Sequence, residues 1–155
     1  MAKRMVRRAH DGTFTVRISD DERDLIAGLA AQLRDLLLSD QTEGLERLFP
    51  PGYANDPDRD QEYQQLTHDE LLTKRLDSVD IVEQTITKTS LDEDQLSAWM
   101  GAVNDLRLVL GTRLDVSEDM YEQELDPDDP RAPAFALYTY LGWLQEQAVA
   151  ALSSG

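Results

Sequence analysis

The sequence contains no cysteine, which excludes disulfide bonds, thiolate catalysis and zinc sites built on cysteine. No apolar run approaches the ~18–20 residues that a membrane-spanning helix needs. The basic residues near the start are not followed by the apolar segment of a secretory signal. The motifs G-x-S-x-G and G-x-G-x-x-G and the Walker-type loop are also missing. These absences predict a cytoplasmic, non-enzymatic protein without a cofactor.

Metal-binding and catalytic patterns are equally sparse. The two histidines lie in different predicted elements, so no H-x-x-x-H pair exists. Asp56, Asp58 and Asp60 begin like a calcium-binding loop, but Gln61 stands where that loop needs glycine. We therefore expect no metal site and no catalytic residue.

Basic residues are scarce, since 15 lysines and arginines face 31 acidic residues and the net charge is −16. Five basic residues lie within residues 1–17, at Lys3, Arg4, Arg7, Arg8 and Arg17. The acidic remainder repels phosphates, which makes nucleic acid an unlikely partner and favours a protein with a basic surface. A transcriptional regulator that binds DNA through the basic residues is kept as an alternative.

The element pattern predicts a mainly α protein, a helical bundle of about five helices with a short N-terminal β-hairpin. Residues 5–9 and 13–18 flank Asp11 and Gly12, a dipeptide typical of a two-residue hairpin turn. We expect one domain over residues 1–155, with the hairpin in residues 1–18 and the bundle in residues 19–155.

Three capping boxes mark predicted helix starts, at Ser19 with Glu22, Thr67 with Glu70, and Ser90 with Glu93. They predict helices over residues 20–39, from residue 67 to about residue 88, and from residue 90 onward. Shorter helices are expected at residues 44–49 and 60–66, and a long one at residues 134–151. Residues 50–58 are expected to form a loop, and residues 115–132 a loop or one short helix.

The helix predicted after the third capping box carries polar residues beside its apolar face. Leucines, valine and Trp99 recur at helical spacing, and Asn104 and Arg107 follow on the adjoining stripe. Burying these two groups without partners costs roughly 1–3 kcal/mol each. One interpretation is structural: Arg107 pairs with a first-helix acid such as Glu22 or Asp24, and Asn104 binds a backbone carbonyl. The other is a pocket for a carboxylate or a peptide terminus, formed by Arg107, Asn104, Trp99 and Glu22.

Two further segments indicate contacts with other proteins. The first is an acidic segment, residues 115–132. It contains Asp126, Asp128 and Asp129, which we expect to face a partner. The last helix is apolar around most of its circumference, which is typical of a central helix or a subunit contact. A homodimer through this helix is therefore kept as an alternative.

Several of these segments resemble one known family. The resemblance lies in Trp99-Met-Gly-Ala-Val-Asn-Asp-Leu-Arg107-Leu-Val-Leu-Gly-Thr-Arg-Leu114, in Arg47-Leu-Phe-Pro50, in Tyr138-x-x-Leu-x-Trp-Leu-Gln145 and in Glu22. On these residues the chain resembles an actinobacterial domain-of-unknown-function family that is often encoded beside the ClpS protease adaptor.

The resemblance implies a regulatory or protein-interaction module linked to protein turnover. Some members of that family are labelled transcriptional regulators, and the family supplies no catalytic residue. Together with the acidic composition, it predicts a cytoplasmic interaction module with an acidic surface.

Overall fold

The computed structural model describes residues 5–39, 57–114 and 128–153. Within these ranges the chain is mainly helical with an N-terminal antiparallel strand pair, which confirms the predicted fold class. In chain order the elements are β1 (Val6–Arg8), β2 (Phe14–Val16), α1 (Asp20–Leu38), α2 (Pro57–Thr85), β3 (Ser90–Leu91), α3 (Glu93–Leu114) and α4 (Ala132–Ser153). The described ranges thus hold four helices, not about five. The helical turn expected at residues 44–49 and most of the acidic segment lie outside them.

The hairpin forms where the sequence predicts it, but its turn is one residue longer than expected. Ala9 and Thr13 are joined by a backbone hydrogen bond of 2.8 Å, so residues 10–12 form a three-residue loop. Gly12 takes a φ of 87°, a left-handed conformation that favours glycine. The side chain of Asp11 accepts hydrogen bonds from the backbone and hydroxyl of Thr13 and closes the loop.

A third strand that the sequence analysis missed extends the hairpin into a sheet ordered β1-β2-β3. β1 and β2 place Val6 opposite Val16, and β2 and β3 place Phe14 opposite Leu91. All four side chains are buried, whereas the alternate positions of the strands are more exposed. The sheet therefore closes one side of the core.

α1 begins at the predicted capping box. The Ser19 side chain accepts from the Glu22 backbone at 3.1 Å, and the Glu22 carboxylate accepts from the Ser19 backbone at 3.1 Å. The helix buries residues at helical spacing, namely Ile26, Leu29, Ala30, Leu33 and Leu37. Apolar spacing in the sequence also predicts Leu25 on the inward face, but it is 43% exposed.

α2 is one continuous helix where the sequence predicted two. Its backbone is helical from Pro57 to Thr85, so Thr67 lies inside the helix and does not cap it. Asp58 and Asp60, expected in or next to a loop, also lie in α2. Thr67 and Glu70 match a capping box by sequence, but such a box marks a helix start only where the preceding backbone leaves the helix.

The cap of α3 lies two residues later than predicted. Ser90 belongs to β3, and the reciprocal cap is made by Asp92 and Gln95. The Asp92 side chain accepts from the Gln95 backbone at 2.7 Å, and the Gln95 side chain accepts from the Asp92 backbone at 3.0 Å. The pairing of β3 with β2 keeps residue 90 extended, which moves the start of the helix.

α4 confirms the predicted last helix and packs against α3 and β1. α3 in turn packs against α2, and α2 against α1. The largest fully buried side chains come from the sheet and from every described helix: Phe14, Leu33, Leu91, Leu96, Leu141, Val16, Val79 and Val82. None of the described helices is long and apolar enough to pass through a lipid bilayer.

Candidate functional site

Arg107 lies against α4. Its Nη1 donates to Oε1 of Gln145 at 3.0 Å, and its guanidinium carbon lies 5.0 Å from the centre of the Tyr138 ring. A Cβ at Gly142 would come within 3.3 Å of Nε and Nη2 of Arg107, so with any side chain at this position the guanidinium would have to move by a few tenths of an ångström. Tyr138, Gly142 and Gln145 follow one another at steps of four and three residues, which places them on one face of α4.

Gln145 connects Arg107 to the second predicted polar residue. Its Nε2 donates to Oδ1 of Asn104 at 3.4 Å while its Oε1 accepts from Arg107. Asn104 and Arg107 are three residues apart on α3 and face the same neighbour. We call Asn104, Arg107, Tyr138, Gly142 and Gln145 the α3–α4 clamp.

The predicted pairing of Arg107 with Glu22 or Asp24 is wrong. The side of α3 that carries Arg107 faces α4, and within the described ranges Arg107 has no carboxylate partner. Its Nε is buried without a hydrogen-bond partner among the described residues. Asn104 likewise contacts the Gln145 side chain and not the expected backbone carbonyl.

Glu22 binds a different residue of α4. The hydroxyl of Tyr140 donates to Oε2 of Glu22 at 2.6 Å. This hydrogen bond, followed by those from Ser19, lowers the pKa of Glu22 against the opposing effect of burial. Burial, followed by the hydrogen bond to Glu22, raises the pKa of Tyr140 far above its usual range. Glu22 therefore lies beside α4 but does not join Arg107.

The buried ion pair of α3 is made by Asp105. Its side chain is 3% exposed and accepts a hydrogen bond from Nη1 of Arg75 on α2. Burial raises the pKa of Asp105, while the charge and hydrogen bond of Arg75 lower it. Residues two apart on a helix are about 200° apart around its axis, so Asp105 and Arg107 face different neighbouring helices.

Trp99 is a core residue. It is 3% exposed, and its indole Nε1 donates to Oγ1 of Thr85 at 2.6 Å. The Thr85 hydroxyl donates in turn to the carbonyl of Ile81 at 2.6 Å, so the buried polar groups satisfy one another. Sequence reasoning missed Thr85 as the partner of the indole.

A small apolar cavity lies beside Trp99, next to Val103 and Leu144. Its volume of about 10 Å³ holds about one water molecule. Gln145 reaches its wall, which places the cavity at one end of the α3–α4 clamp. This volume does not admit a ligand of several heavy atoms, so it does not provide the predicted pocket for a peptide terminus.

Arg8 of the hairpin is used within the chain. Its Nη2 donates to the carbonyl of Leu152 at 3.1 Å, and its guanidinium carbon lies 4.8 Å from the centre of the Phe14 ring. The last turn of α4 holds no basic residue, so Arg8 supplies a positive charge at this helix end. Arg7 and Arg17 are exposed, whereas Lys3 and Arg4 lie outside the described residues.

Arg23 has a comparable role that sequence reasoning missed. Its Nη1 donates to the carbonyls of Ile86 at 2.6 Å and Lys88 at 3.0 Å, just after α2. Its Nη2 donates to the carbonyl of Val16 at 3.3 Å. The last turn of α2 has no basic residue that could bind the carbonyls at this helix end. That absence is the sequence feature that indicates a cation from another element.

The acidic segment before α4 is described only at its end, and Asp126 lies outside the described residues. Asp129 Oδ1 accepts from the Arg131 backbone at 2.8 Å, and both carboxylate oxygens contact the Arg131 guanidinium. Asp129 thus helps to begin α4, while Asp128 is exposed. In the ranges that the structure describes, no group of three or more acidic or histidine residues is placed to hold a metal ion.

The outer side of α4 is nearly uncharged. Five exposed residues recur at steps of three and four, at Ala136, Thr139, Trp143, Glu146 and Ala150. We call these residues the α4 face. Trp143 is 39% exposed, and the neighbouring Val149 is 45% exposed. Glu146 carries the only charge of this face, in a chain of which 30% of the residues are charged.

Comparison with protein families gives one match over nearly the whole chain. A family model with the description "Domain of unknown function (DUF2017)" matches residues 3–152.

Curated relatives match a smaller part. The proteins named oxidative stress regulator AosR of Mycobacterium bovis and Mycobacterium tuberculosis are each 38% identical to the chain over 74 residues. The matched segment covers 48% of this chain and 34% of each relative, so the match spans about a third of the length of these relatives. No solved structure matches the chain.

Proposed function

Because the chain belongs to the DUF2017 family of domains of unknown function, we propose that it is a regulatory protein that binds another protein and catalyses no reaction. The names of the curated relatives support the regulatory part of this proposal. The contacts of α3 support the non-enzymatic part. Asp105 and Arg107, the charged side chains in the centre of α3, pack against α2 and α4 instead of converging on a shared opening.

The α4 face is the observation that carries the protein-binding part. An exposed tryptophan on a nearly uncharged helix surface is typical of interaction sites, where aromatic residues are enriched and charges are depleted. The excess of acidic residues elsewhere in the chain favours a partner with a basic surface and disfavours nucleic acid.

The cellular process is proposed only in general terms. The relatives' names favour a part in the response to oxidative stress, and the resemblance to a family encoded beside ClpS favours a part in protein turnover. We place the protein in the cytoplasm. Residues 1–155 contain no thiol, so within them a response to oxidants would not use cysteine chemistry.

Affinity capture from an extract of the source organism tests this function. The immobilised chain is compared with a variant that carries Asp126→Asn and Asp128→Asn, and captured proteins are quantified by mass spectrometry after nuclease treatment. We expect one protein to be enriched by the wild-type chain and several-fold less by the variant. Capture that disappears on nuclease treatment would favour DNA binding through Arg7 and Arg17 instead.

Asp129→Asn serves as a control for stability. Because Asp129 contacts the Arg131 backbone and guanidinium, its substitution lowers the melting temperature even if it does not touch the partner. A captured protein that is unaffected by the double substitution would show that the acidic segment takes no part in binding.

A further inference from the structure

The first turn of α1 is connected to the α4 face through Tyr140. Tyr140, on the same side of α4 as Trp143, lies with its ring centre 6.4 Å from that of Trp143. Its hydroxyl binds Glu22 on α1, which brings the start of α1 beside the middle of α4. Leu25 lies one turn further along α1 from Glu22 and is 43% exposed. α1 therefore offers an exposed apolar side chain close to the helix turn that binds Tyr140.

Acidic groups border this surface. Glu22 and the exposed Asp21 lie at the start of α1, and Glu146 lies one turn beyond Trp143 on α4. The hydrogen bond from Tyr140 favours the ionised form of Glu22. The cation closest in sequence is Arg23, whose guanidinium binds the carbonyls of Ile86, Lys88 and Val16 and points away from the border.

We propose that the α4 face binds an amphipathic helix of a partner protein, with apolar residues on Trp143 and Val149 and lysines or arginines against the acidic border. This inference rests on the proposed function and names the surface and the chemistry of the partner. From Ala136 to Ala150 the face is about 21 Å long at the helical rise of about 1.5 Å per residue, which is the length of a helix of about 15 residues.

Charge decides between a foreign helix and a second copy of this chain. A second copy would bring the same acidic border and a net charge of −16 to the contact, so like charges would face each other across the symmetry axis. A basic helix instead pairs opposite charges around an apolar centre. The observations therefore favour the basic helix as the occupant.

A designed peptide tests this inference. The probe is an amphipathic helix of about 15 leucine and lysine residues, and the matched control peptide has glutamate in place of lysine. Trp143 reports binding directly, because the other tryptophan, Trp99, is 3% exposed and contributes a constant background. We expect the lysine peptide, and not the glutamate peptide, to shift the emission to shorter wavelength and reduce quenching by acrylamide. The change should be absent in Trp143→Phe.

Charge reversal locates the binding site. The variant Asp21→Lys with Glu146→Lys changes the border of the α4 face, while Asp35→Lys with Asp77→Lys changes two exposed acids on other surfaces by the same total charge. We expect the border variant to lose at least about tenfold in affinity for the lysine peptide, and the control variant to lose much less. Equal losses would mean that the peptide binds the acidic protein unspecifically, and would overturn the inference.

Two other outcomes would also overturn it. Concentration-dependent sedimentation of the chain alone, with a shift in Trp143 emission, would assign the face to a second copy. Absence of peptide binding, while capture of a cellular protein still depends on Asp126 and Asp128, would reject a basic helix as the occupant of the α4 face and leave the proposed function intact. If the lysine peptide does not bind and no cellular protein is captured, both proposals are rejected.

Discussion

The hydroxyl of Tyr140 shows how a single polar atom connects distant parts of this chain. It donates to the Glu22 carboxylate at 2.6 Å across 118 residues of sequence. The bond favours ionised Glu22, whose pKa is lowered from its ordinary value of 4.5. A carboxyl group with a lowered pKa stabilises the fold above its unfolded pKa, and this contribution is lost as the pH falls through the folded pKa.

Tyr140→Phe should therefore destabilise the protein in a pH-dependent way. At pH 7 we expect a loss of about 1 kcal/mol in the free energy of unfolding, since Glu22 is partly exposed and water screens the interaction. The difference from the wild type should shrink as the pH falls below about 4.5. Urea denaturation at several pH values measures it.

The matched control is Tyr138→Phe, which keeps the ring over Arg107 and does not touch Glu22. A Tyr140→Phe loss that stays constant between pH 7 and pH 3 would contradict the role assigned to the Glu22 charge.

At the scale of residues, the sequence predicted which groups need partners better than it predicted the partners. Polar groups beside the apolar face of α3 do find partners, but the buried ion pair belongs to Asp105 and not to Arg107. Helical spacing places a residue on a face, whereas the identity of the helix opposite that face depends on tertiary packing. Glu22, marked by its capping position, gave no sign of its bond to Tyr140.

At the scale of elements, the α3–α4 clamp makes the contact between two helices depend on a glycine. An added Cβ at Gly142 would meet Arg107 at 3.3 Å, so the guanidinium and the backbone of α4 share the space. Glycine inside a helix otherwise costs about 1 kcal/mol relative to alanine. The contacts of Arg107 with α4 thus offset the cost of having glycine at position 142 inside the helix.

Gly142→Ala should lower stability in the wild type and raise it when Arg107→Ala is also present. In the wild type the added methyl pushes the guanidinium by a few tenths of an ångström and weakens its contacts with Tyr138 and Gln145. Without the guanidinium only the gain in helix propensity remains, about 1 kcal/mol. A double-mutant cycle by urea denaturation should give a coupling of about 1–2 kcal/mol.

Gly28→Ala is the control for this cycle. Gly28 is an exposed position of α1 where an added Cβ meets nothing within 4 Å. Its substitution should stabilise the protein equally with and without Arg107. Additive effects of Gly142→Ala and Arg107→Ala would contradict the clamp.

The elements themselves were predicted with uneven success for physical reasons. The hairpin has a turn dipeptide, α1 has a complete cap and α4 is a long, almost uninterrupted apolar segment, and their predictions are confirmed. β3 covers two residues, which is too short for any periodic signal, and its pairing with β2 is a contact between distant residues. The prediction of two helices in place of α2 was wrong because Thr67 and Glu70 match a capping box, and the sequence does not show that the backbone before Thr67 is already helical.

At the scale of the whole molecule, charge is distributed so that the few cations hold the fold together. Arg8, Arg23 and Arg34 each join two elements, and Arg34 of α1 binds Asp80 and Glu83 of α2. The acids far outnumber them, and the net charge of −16 opposes the compact state through self-repulsion.

Added salt should therefore stabilise the protein. Raising NaCl from about 0.01 M to about 0.15 M shortens the Debye length from about 30 Å to about 8 Å and screens repulsion more than the short contacts of the arginines. We expect the melting temperature to rise over this range in calorimetry at pH 7. Asp35→Lys with Asp77→Lys should show a smaller rise because it carries less net negative charge. A falling midpoint would mean that the ion pairs outweigh the repulsion.

The bond from Arg8 to the carbonyl of Leu152 and the bond from the Met5 backbone to Gln147 join segments that are 144 and 142 residues apart. Bringing such distant segments together carries a high loop-closure entropy, and long-range contacts of this kind slow folding. On the ribosome, β1 is synthesised before α4 and can meet it only when residues 132–153 have left the exit tunnel. Until then the side of β1 that α4 covers is open, and exposed apolar surface of this kind is prone to aggregation.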